Sequence, residues 1–307
     1  MMNMKKIFLF LLAACAANNL SAQQNPQYSQ YMFNGLAINP AYAGSKDYLS
    51  VAALYRQQWS GFEGAPKTAT VSVHGPVSAG KMGLGFTFIS DKIGPVSRMD
   101  FFGSYAFHIE TGSGIFALGI QGGGTQYSAK LSSLHTIDLN DELQAAGDKS
   151  EFLANAGAGL YYYSSTFYAG LSVPQLLSDN RKSASDVKTG PSTAMHYLFN
   201  TGIVLGSSDN LKVKPSVMLK YVQGAPLTYD INANLFFGKI IGVGVSYRSQ
   251  DAIVGLLSLQ LTPELRFGYS YDLTQTDIKD YSSGSHEVML GYDFGHEVPK
   301  VRVPRYF

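Results

Sequence analysis

The chain has 307 residues, of which 45% are hydrophobic and only 15% are charged, against roughly 25% charged residues in ordinary soluble proteins. Its 20 Tyr, 18 Phe and 32 Gly argue against a disordered protein, a coiled coil and a helix-rich cytosolic enzyme. A net charge of +1 argues against nucleic-acid binding. The single Cys excludes an internal disulfide framework and a cysteine-cluster metal site.

Residues 1–22 have the features of a signal peptide. Two lysines precede the apolar run 7–17, which is too short to cross a bilayer as a helix, and Ala22 is a small residue of the kind found at cleavage sites. We therefore predict cleavage after Ala22 and export from the cytoplasm. Residues 12–15 also fit a lipoprotein motif, so lipidation of Cys15 is the alternative.

Residues 23–47 precede the first predicted strand and contain several aromatic side chains but little alternation. The dipeptide Asn39-Pro40 is typical of a turn. Because the segment is apolar, we expect it to be buried, as a plug inside the body that the following strands form or beneath its periplasmic mouth. A partner-binding groove is the alternative location. The candidate plug residues are Tyr31, Phe33, Asn34, Asn39 and Pro40.

From residue 48 onward, apolar residues alternate with polar or small ones, as expected for strands with one apolar face. In one such stretch, Tyr229 and Ile231 alternate with Asp230 and Asn232. No run of 18 apolar residues, the length of a transmembrane helix, follows the leader. The predicted strands are 48–59, 67–74, 82–90, 98–109, 114–128, 151–163, 166–173, 194–206, 211–222, 227–237, 240–249, 252–261, 264–273 and 286–294.

A soluble β-sandwich also produces alternation, but several features favour a membrane barrel. The strands are near ten residues long, as bilayer-crossing strands are, and Tyr and Phe cluster at their ends. The long connections 129–150, 174–193 and 274–285 all follow odd-numbered strands, matching the external loops of bacterial barrels. We predict an all-β protein, a single antiparallel transmembrane β-barrel of about 14 strands over residues 48–295, with a periplasmic tail at 296–307.

Several charged residues fall on the polar faces of these strands. A lipid-facing Arg or Lys at mid-depth costs about 2–4 kcal/mol, so we expect them to face the lumen. They would form either a mutually neutralising network or the lining of a selective pore. These residues are Arg56, Asp230, Arg248, Glu264, Arg266, Asp272, Glu287 and Asp293.

The segment 56–67 is the first external hairpin of this topology. Trp59 is the only Trp, and the glycines and Pro66 are typical of a hairpin connection. Two interpretations stay open: a structural corner in the barrel mouth, with Arg56 paired with Glu63, or a docking surface for an exported partner. The candidate residues are Arg56, Trp59, Gly61, Phe62, Glu63, Gly64, Pro66 and Lys67.

Signals for catalysis are weak. The six His residues lack the HExxH spacing, and the sequence contains no GxSxG elbow and no P-loop. We therefore predict no enzymatic activity, no cofactor and no metal site.

Three N-terminal motifs and the C-terminal ending resemble the PorP/SprF family. The first motif is QYSQYMFN at 27–34 with INPAYAG at 38–44, and the second is YRQQWSGFEGAPKT at 55–68. The third is GLGF at 83–86 followed by SDKIGP at 90–95, and the ending is PRYF at 304–307. The resemblance covers most of the chain, since the barrel pattern continues it beyond the motifs.

This resemblance implies an outer-membrane barrel of the type IX secretion system and its gliding-motility branch. Its partners would be outer-membrane lipid and either the C-terminal sorting domain of a large exported adhesin or periplasmic ring and lipoprotein components. The long loops and the first hairpin would form an outer rim on which the exported domain docks. The residues alone also leave open a passive or selective channel for small solutes.

Overall fold

The computed structural model describes residues 26–133, 147–177, 194–206, 210–222 and 225–295. Within these ranges, alternating sequence patterns form fourteen β-strands. The strands are β1 Leu49–Gln57, β2 Lys67–Val77, β3 Met82–Ile93, β4 Val96–Thr111, β5 Gly114–Ala129, β6 Lys149–Tyr163, β7 Phe167–Val173, β8 His196–Ile203, β9 Leu211–Val222, β10 Thr228–Phe237, β11 Ile241–Arg248, β12 Ala252–Gln260, β13 Leu265–Thr274 and β14 Ser285–Phe294.

Each strand pairs antiparallel with its neighbours in the chain, and β14 pairs with β1 to close the barrel. The closing register runs from Leu49 opposite Phe294 to Gln57 opposite His286. Closure satisfies the backbone hydrogen bonds of both terminal strands, which an open sheet in lipid would leave unpaired. The predicted all-β fold, a single antiparallel barrel of fourteen strands, is confirmed.

The strand ends differ from the predicted ones by a few residues. Glu264, which was expected on the polar face of a strand, instead lies in the turn before β13. The hydroxyl of Thr262 accepts hydrogen bonds there from the backbone N–H groups of Glu264 (3.3 Å) and Leu265 (3.0 Å). This side-chain bonding favours a turn over a strand, so β13 begins one residue later than predicted.

Successive side chains on each strand point alternately outward and into the lumen. In β4, Phe101, Tyr105 and Phe107 are exposed on the outer face, whereas Ser104 and Ala106 are buried on the inner face. The same pattern elsewhere makes the outer surface predominantly apolar, which is the surface that lipid solvates. No helix within the described residues is long and apolar enough to cross a membrane.

The outer face gives a prediction that depends on depth. Val245 lies near the middle of β11 and is 54% exposed, whereas Ile241 begins the same strand. Val245→Arg is expected to lower the free energy of unfolding by about 2–4 kcal/mol, and Ile241→Arg by about 0–1 kcal/mol. Urea titration of refolding into lipid vesicles measures both values. Equal effects would contradict a membrane-embedded outer face.

The two ends of the barrel differ in their connections. Connections after odd-numbered strands lie at one end, which we call the long-loop end, and the others lie at the short-turn end. The short-turn end includes the tight connections Gly112–Ser113 and 238–240. Most of the predicted loops 129–150 and 174–193 lies outside the described residues, as does the predicted tail 296–307.

Residues 26–47 lie inside the lumen. Their side chains and backbone bond to strands on opposite sides of the closed barrel, including β2, β6, β10 and β13. The segment is coiled into three short 3₁₀ turns, Tyr31–Phe33, Gly35–Ala37 and Pro40–Tyr42. It runs lengthwise, from Ser29 in the long-loop half to Gly44 in the short-turn half, before β1 begins. We call residues 26–47 the lumen segment.

Candidate functional site

Five charged side chains from five strands meet in the long-loop half of the lumen, and we call them the charge cluster. Each is at most 2% exposed. They pair because strand closure brings distant parts of the chain together: the Nη2 atom of Arg56 is 2.8 Å from Asp272 Oδ2. The cluster comprises Arg56 of β1, Asp230 of β10, Arg248 of β11, Asp272 of β13 and Glu287 of β14.

The cluster is close to electrically neutral when its nearest cation is included. The guanidinium of Arg248 is 3.0 Å from Asp272 and 3.4 Å from Asp230, and Lys220 lies 3.6 Å from Asp230. Asp251 lies 3.2 Å from Arg248 and is partly exposed, so the three cations face three buried carboxylates and a fourth at the edge of the cluster. Mutual pairing of this kind offsets the large cost of removing the ions from water.

Arg56 does not make the pair that the sequence suggested. It is buried and contacts Asp272 and Glu287, whereas Glu63 is exposed in the connection that follows β1. The hypothesised Arg56–Glu63 pair is therefore wrong. The reason is geometric: Arg56 lies on the inward face of β1 and Glu63 lies beyond the end of the strand.

The lumen segment binds directly to the charge cluster. The backbone N–H groups of Ser29 and Gln30 donate to the two carboxylate oxygens of Glu287 at 2.9 and 2.8 Å. The Ser29 hydroxyl donates to Asp272 at 2.8 Å and accepts from Arg56 at 2.9 Å and from Arg248 at 3.0 Å. Hydrogen bonds to charged groups each contribute about 1.5–3 kcal/mol, so this contact holds the segment firmly.

The middle of the lumen segment carries three of the predicted plug residues. Tyr31 accepts a hydrogen bond from Asn232 at 2.6 Å, and Asn34 accepts one from Ser72 at 2.7 Å. The ring of Phe33 lies 5.5 Å from the guanidinium of Arg266 and 5.6 Å from the ammonium of Lys214, within the range of cation–π attraction. Arg266, which we predicted in the lumen, therefore contacts the segment.

Asn39 and Pro40 build the turn nearest the short-turn end. The Asn39 side chain accepts from the Ala41 N–H at 2.9 Å and donates to the Leu160 carbonyl at 2.9 Å. It thereby caps the 3₁₀ turn whose first residue is Pro40, a position where the missing N–H of proline costs nothing. The predicted turn therefore also ties the segment to β6.

Glycines on the barrel wall make room for this turn. A methyl group at Gly119 would overlap the backbone of Ala41, and one at Gly83 would overlap the carbonyl of Ala43. Only a residue without a side chain allows such close backbone approach. The wall sequence is thus adapted to the lumen segment.

A partly buried ion pair lies at the short-turn mouth. The ammonium of Lys46 lies 3.1 Å from Asp293, and burial lowers the pKa of Lys46 although the nearby carboxylate opposes this effect.

The first hairpin, residues 58–66, has an anchored base and an exposed apex. The N–H of Ser60 donates to the carbonyl of Gly284 at 2.7 Å, and the carbonyl of Ser60 accepts from the N–H of Ser283 at 2.7 Å. Trp59 is half-buried at a positive φ of 45°. The apex, in contrast, exposes an aromatic ring. Its exposed residues are Gly61, Phe62, Glu63 and Gly64, while Pro66 is buried and Lys67, the first residue of β2, is exposed.

Sequence reasoning missed the residues that hold the lumen segment at the long-loop end, above all Ser29 and Gln30. The only sequence signal for their role was that they are polar and lie between the aromatic residues Tyr28 and Tyr31. Glu287 was recognised as a lumen residue but not as the acceptor for two backbone amides. Within the described ranges, no group of three or more His, Cys, Asp or Glu side chains is arranged to hold a metal ion.

Solved structures with a similar fold are bacterial outer-membrane proteins. The CymD monoaromatic hydrocarbon channel is 14% identical, with a TM-score of 0.52, 86% of this chain covered and 93% of that chain. The outer membrane protein Omp33 of Acinetobacter baumannii is 11% identical, with a TM-score of 0.47 and coverages of 82% and 100%. A FadL homologue of Pseudomonas aeruginosa is 11% identical, with a TM-score of 0.47 and coverages of 89% and 96%.

No curated protein matches the chain by sequence. The family model of the type IX secretion system membrane protein PorP/SprF matches residues 20–292, which is most of the chain and extends into β14, the last strand of the barrel. The predicted outer-membrane location is confirmed by this family and by the barrel fold. The chain therefore belongs to the PorP/SprF family of type IX secretion system membrane proteins.

Proposed function

We propose that this barrel is a non-enzymatic accessory of type IX secretion and of its gliding branch. It supports the export and surface attachment of an adhesin-like protein by binding that protein's C-terminal sorting domain or the periplasmic ring components. The observation that carries the proposal is the filled lumen. A barrel whose interior is occupied from Ser29 to Gly44 and bonded to the wall works through its surfaces rather than as a conduit.

The long-loop end is the better candidate for the docking face. Short turns face the periplasm in bacterial barrels, so we expect the long-loop end to lie outside the cell. The first hairpin presents the 48% exposed ring of Phe62 there, beside the charged side chains of Glu63 and Lys67. An aromatic anchor surrounded by charged residues is common in protein interfaces. The base of the hairpin, fixed by Ser60, would hold this patch in place.

The docking proposal predicts a loss of surface retention without a loss of folding. Replacing 174–193 by a short turn, together with Trp59→Ala and Phe62→Ala, is expected to leave membrane insertion intact because all fourteen strands keep their residues. Heat-modifiable gel migration measures insertion, and antibody labelling of intact cells measures the retained adhesin. Lys239→Ala, at the short-turn end, is the matched control.

The outcome separates the two faces of the barrel. If the combined variant retains the adhesin as well as the control does, the outer-face proposal is wrong, and the periplasmic face becomes the binding surface. A passive or selective channel for small solutes is the alternative function. The occupied lumen argues against that alternative.

A further inference from the structure

A cavity of about 130 Å³ lies between the lumen segment and the barrel wall, and it opens toward the long-loop end. The lumen segment supplies one side of it and strands β4, β8 and β9 supply much of the other. Its lining is mainly apolar and aromatic. The apolar residues that define it are Tyr28, Ile38, Phe102, Leu198, Met218 and Val222.

The size of the cavity matches one aromatic ring. Apolar cavities of roughly 150 Å³ in other proteins bind benzene. Two ion pairs lie at the wall and leave no net charge for a ligand. They are Arg98 with Asp100 at 2.8 Å and Lys220 with Asp230 at 3.6 Å. A neutral ligand therefore fits better than a charged one.

Two polar atoms at the cavity have no hydrogen-bond partner among the described residues. They are the Oγ1 atom of Thr87 and the Oε1 atom of Gln175, and both side chains are 4% exposed. Buried polar groups without partners are uncommon in folded proteins. Each such atom marks a position where a ligand hydroxyl could bond.

Gln175 is held at the cavity by an irregularity between β6 and β7. The last ladder pair joins Ala158 to Val173, and the next bond runs from the N–H of Leu176 to the carbonyl of Ala156. Pro174 and Gln175 therefore lie opposite the single residue Gly157, as in a β-bulge. Bulges commonly redirect a side chain. The Gln121 amide fixes the bulge by donating to the Pro174 carbonyl at 2.9 Å.

We propose that this cavity binds a single neutral phenol group, with the ring among the apolar side chains and the hydroxyl bonded to Gln175 or Thr87. Two sources share this chemistry, a free phenolic molecule and a tyrosine side chain of a protein partner. The proposal does not depend on the secretion function, because binding can be measured on the isolated full-length barrel.

The test is isothermal titration of the barrel in detergent with p-cresol and with toluene. Saturable p-cresol binding is expected for the wild type. Leu198→Trp fills the cavity and should weaken binding at least about tenfold, a typical effect of lost packing space. The matched control is Leu171→Trp on the neighbouring strand β7, where Leu171 faces outward and is 49% exposed; it should bind as the wild type does.

A second variant tests the hydroxyl contact without altering the space. Gln175→Leu combined with Thr87→Val is expected to weaken p-cresol binding about tenfold while leaving toluene binding within about twofold. A general packing defect would instead weaken the binding of both ligands. Competition of p-cresol by a blocked Gly-Tyr-Gly peptide would identify a tyrosine side chain as the ligand, and its failure would identify a free phenol. Absence of saturable p-cresol binding, or equal binding by Leu198→Trp, overturns the proposal.

Discussion

Deleting residues 23–47, with the leader joined directly to residue 48, is expected to open the barrel into a conducting pore. The deletion removes the lumen segment, which bonds to the charge cluster at one end and to His74 in the short-turn half at the other. Barrels of eight strands are filled by side chains, whereas those of sixteen to eighteen leave an aqueous channel, so fourteen strands should leave a water-filled path once emptied. Single-channel conductance in planar bilayers should rise on the order of tenfold or more.

A point substitution tests the same idea with less disruption. Gly119→Val places a side chain where the backbone of Ala41 lies, whereas a side chain at Gly122, on the same strand, meets no atom within 4 Å. Gly119→Val should therefore displace the lumen segment and raise conductance, while Gly122→Val should not.

Conductance that stays at the wild-type level in both the deletion and Gly119→Val would show that residues 26–47 do not seal the lumen. A large steady conductance in the wild type would instead support the channel alternative. Folding is monitored in each case by heat-modifiable migration, so that a variant that fails to fold is not mistaken for a folded barrel with a sealed lumen.

Arg56→Met is expected to be the most destabilising single substitution in the charge cluster. It leaves the carboxylates of Asp272 and Glu287 buried without their shared cation and removes a donor to Ser29. Breaking a buried ion pair from one side typically costs about 3–5 kcal/mol. Lys67→Met removes an exposed cation at the same end of the barrel and should change stability by no more than about 0.5 kcal/mol.

Urea unfolding measured by heat-modifiable migration gives both values. Adding Asp272→Leu to Arg56→Met should cost less than the sum of the two single changes, since residues in one ion network are coupled. A cost below about 1 kcal/mol for Arg56→Met, the range of an exposed pair, would show that the cluster does not hold the structure together.

The strand pattern was predictable because it depends on a local period. The β9 strand was predicted at 211–222 and runs Leu211–Val222, since alternation reports directly on two different environments, lipid outside and lumen inside. The N-terminal segment was predictable as a buried element from its aromatic content. Its path was not, because no periodicity encodes where a coiled segment meets the wall.

The sequence by itself therefore determined the barrel, its strand count and, apart from Glu264, which of the predicted charged residues point inward. Only the tertiary structure decided which of them pair. Arg56 and Asp272 are 216 residues apart, and Ser29 and Glu287 are 258 apart. Contacts at such separations arise only when β14 closes on β1 and the curvature of the wall aims side chains from distant strands at one point. Alternation fixes the face on which a side chain lies but carries no information about the depth and direction from which its partner comes.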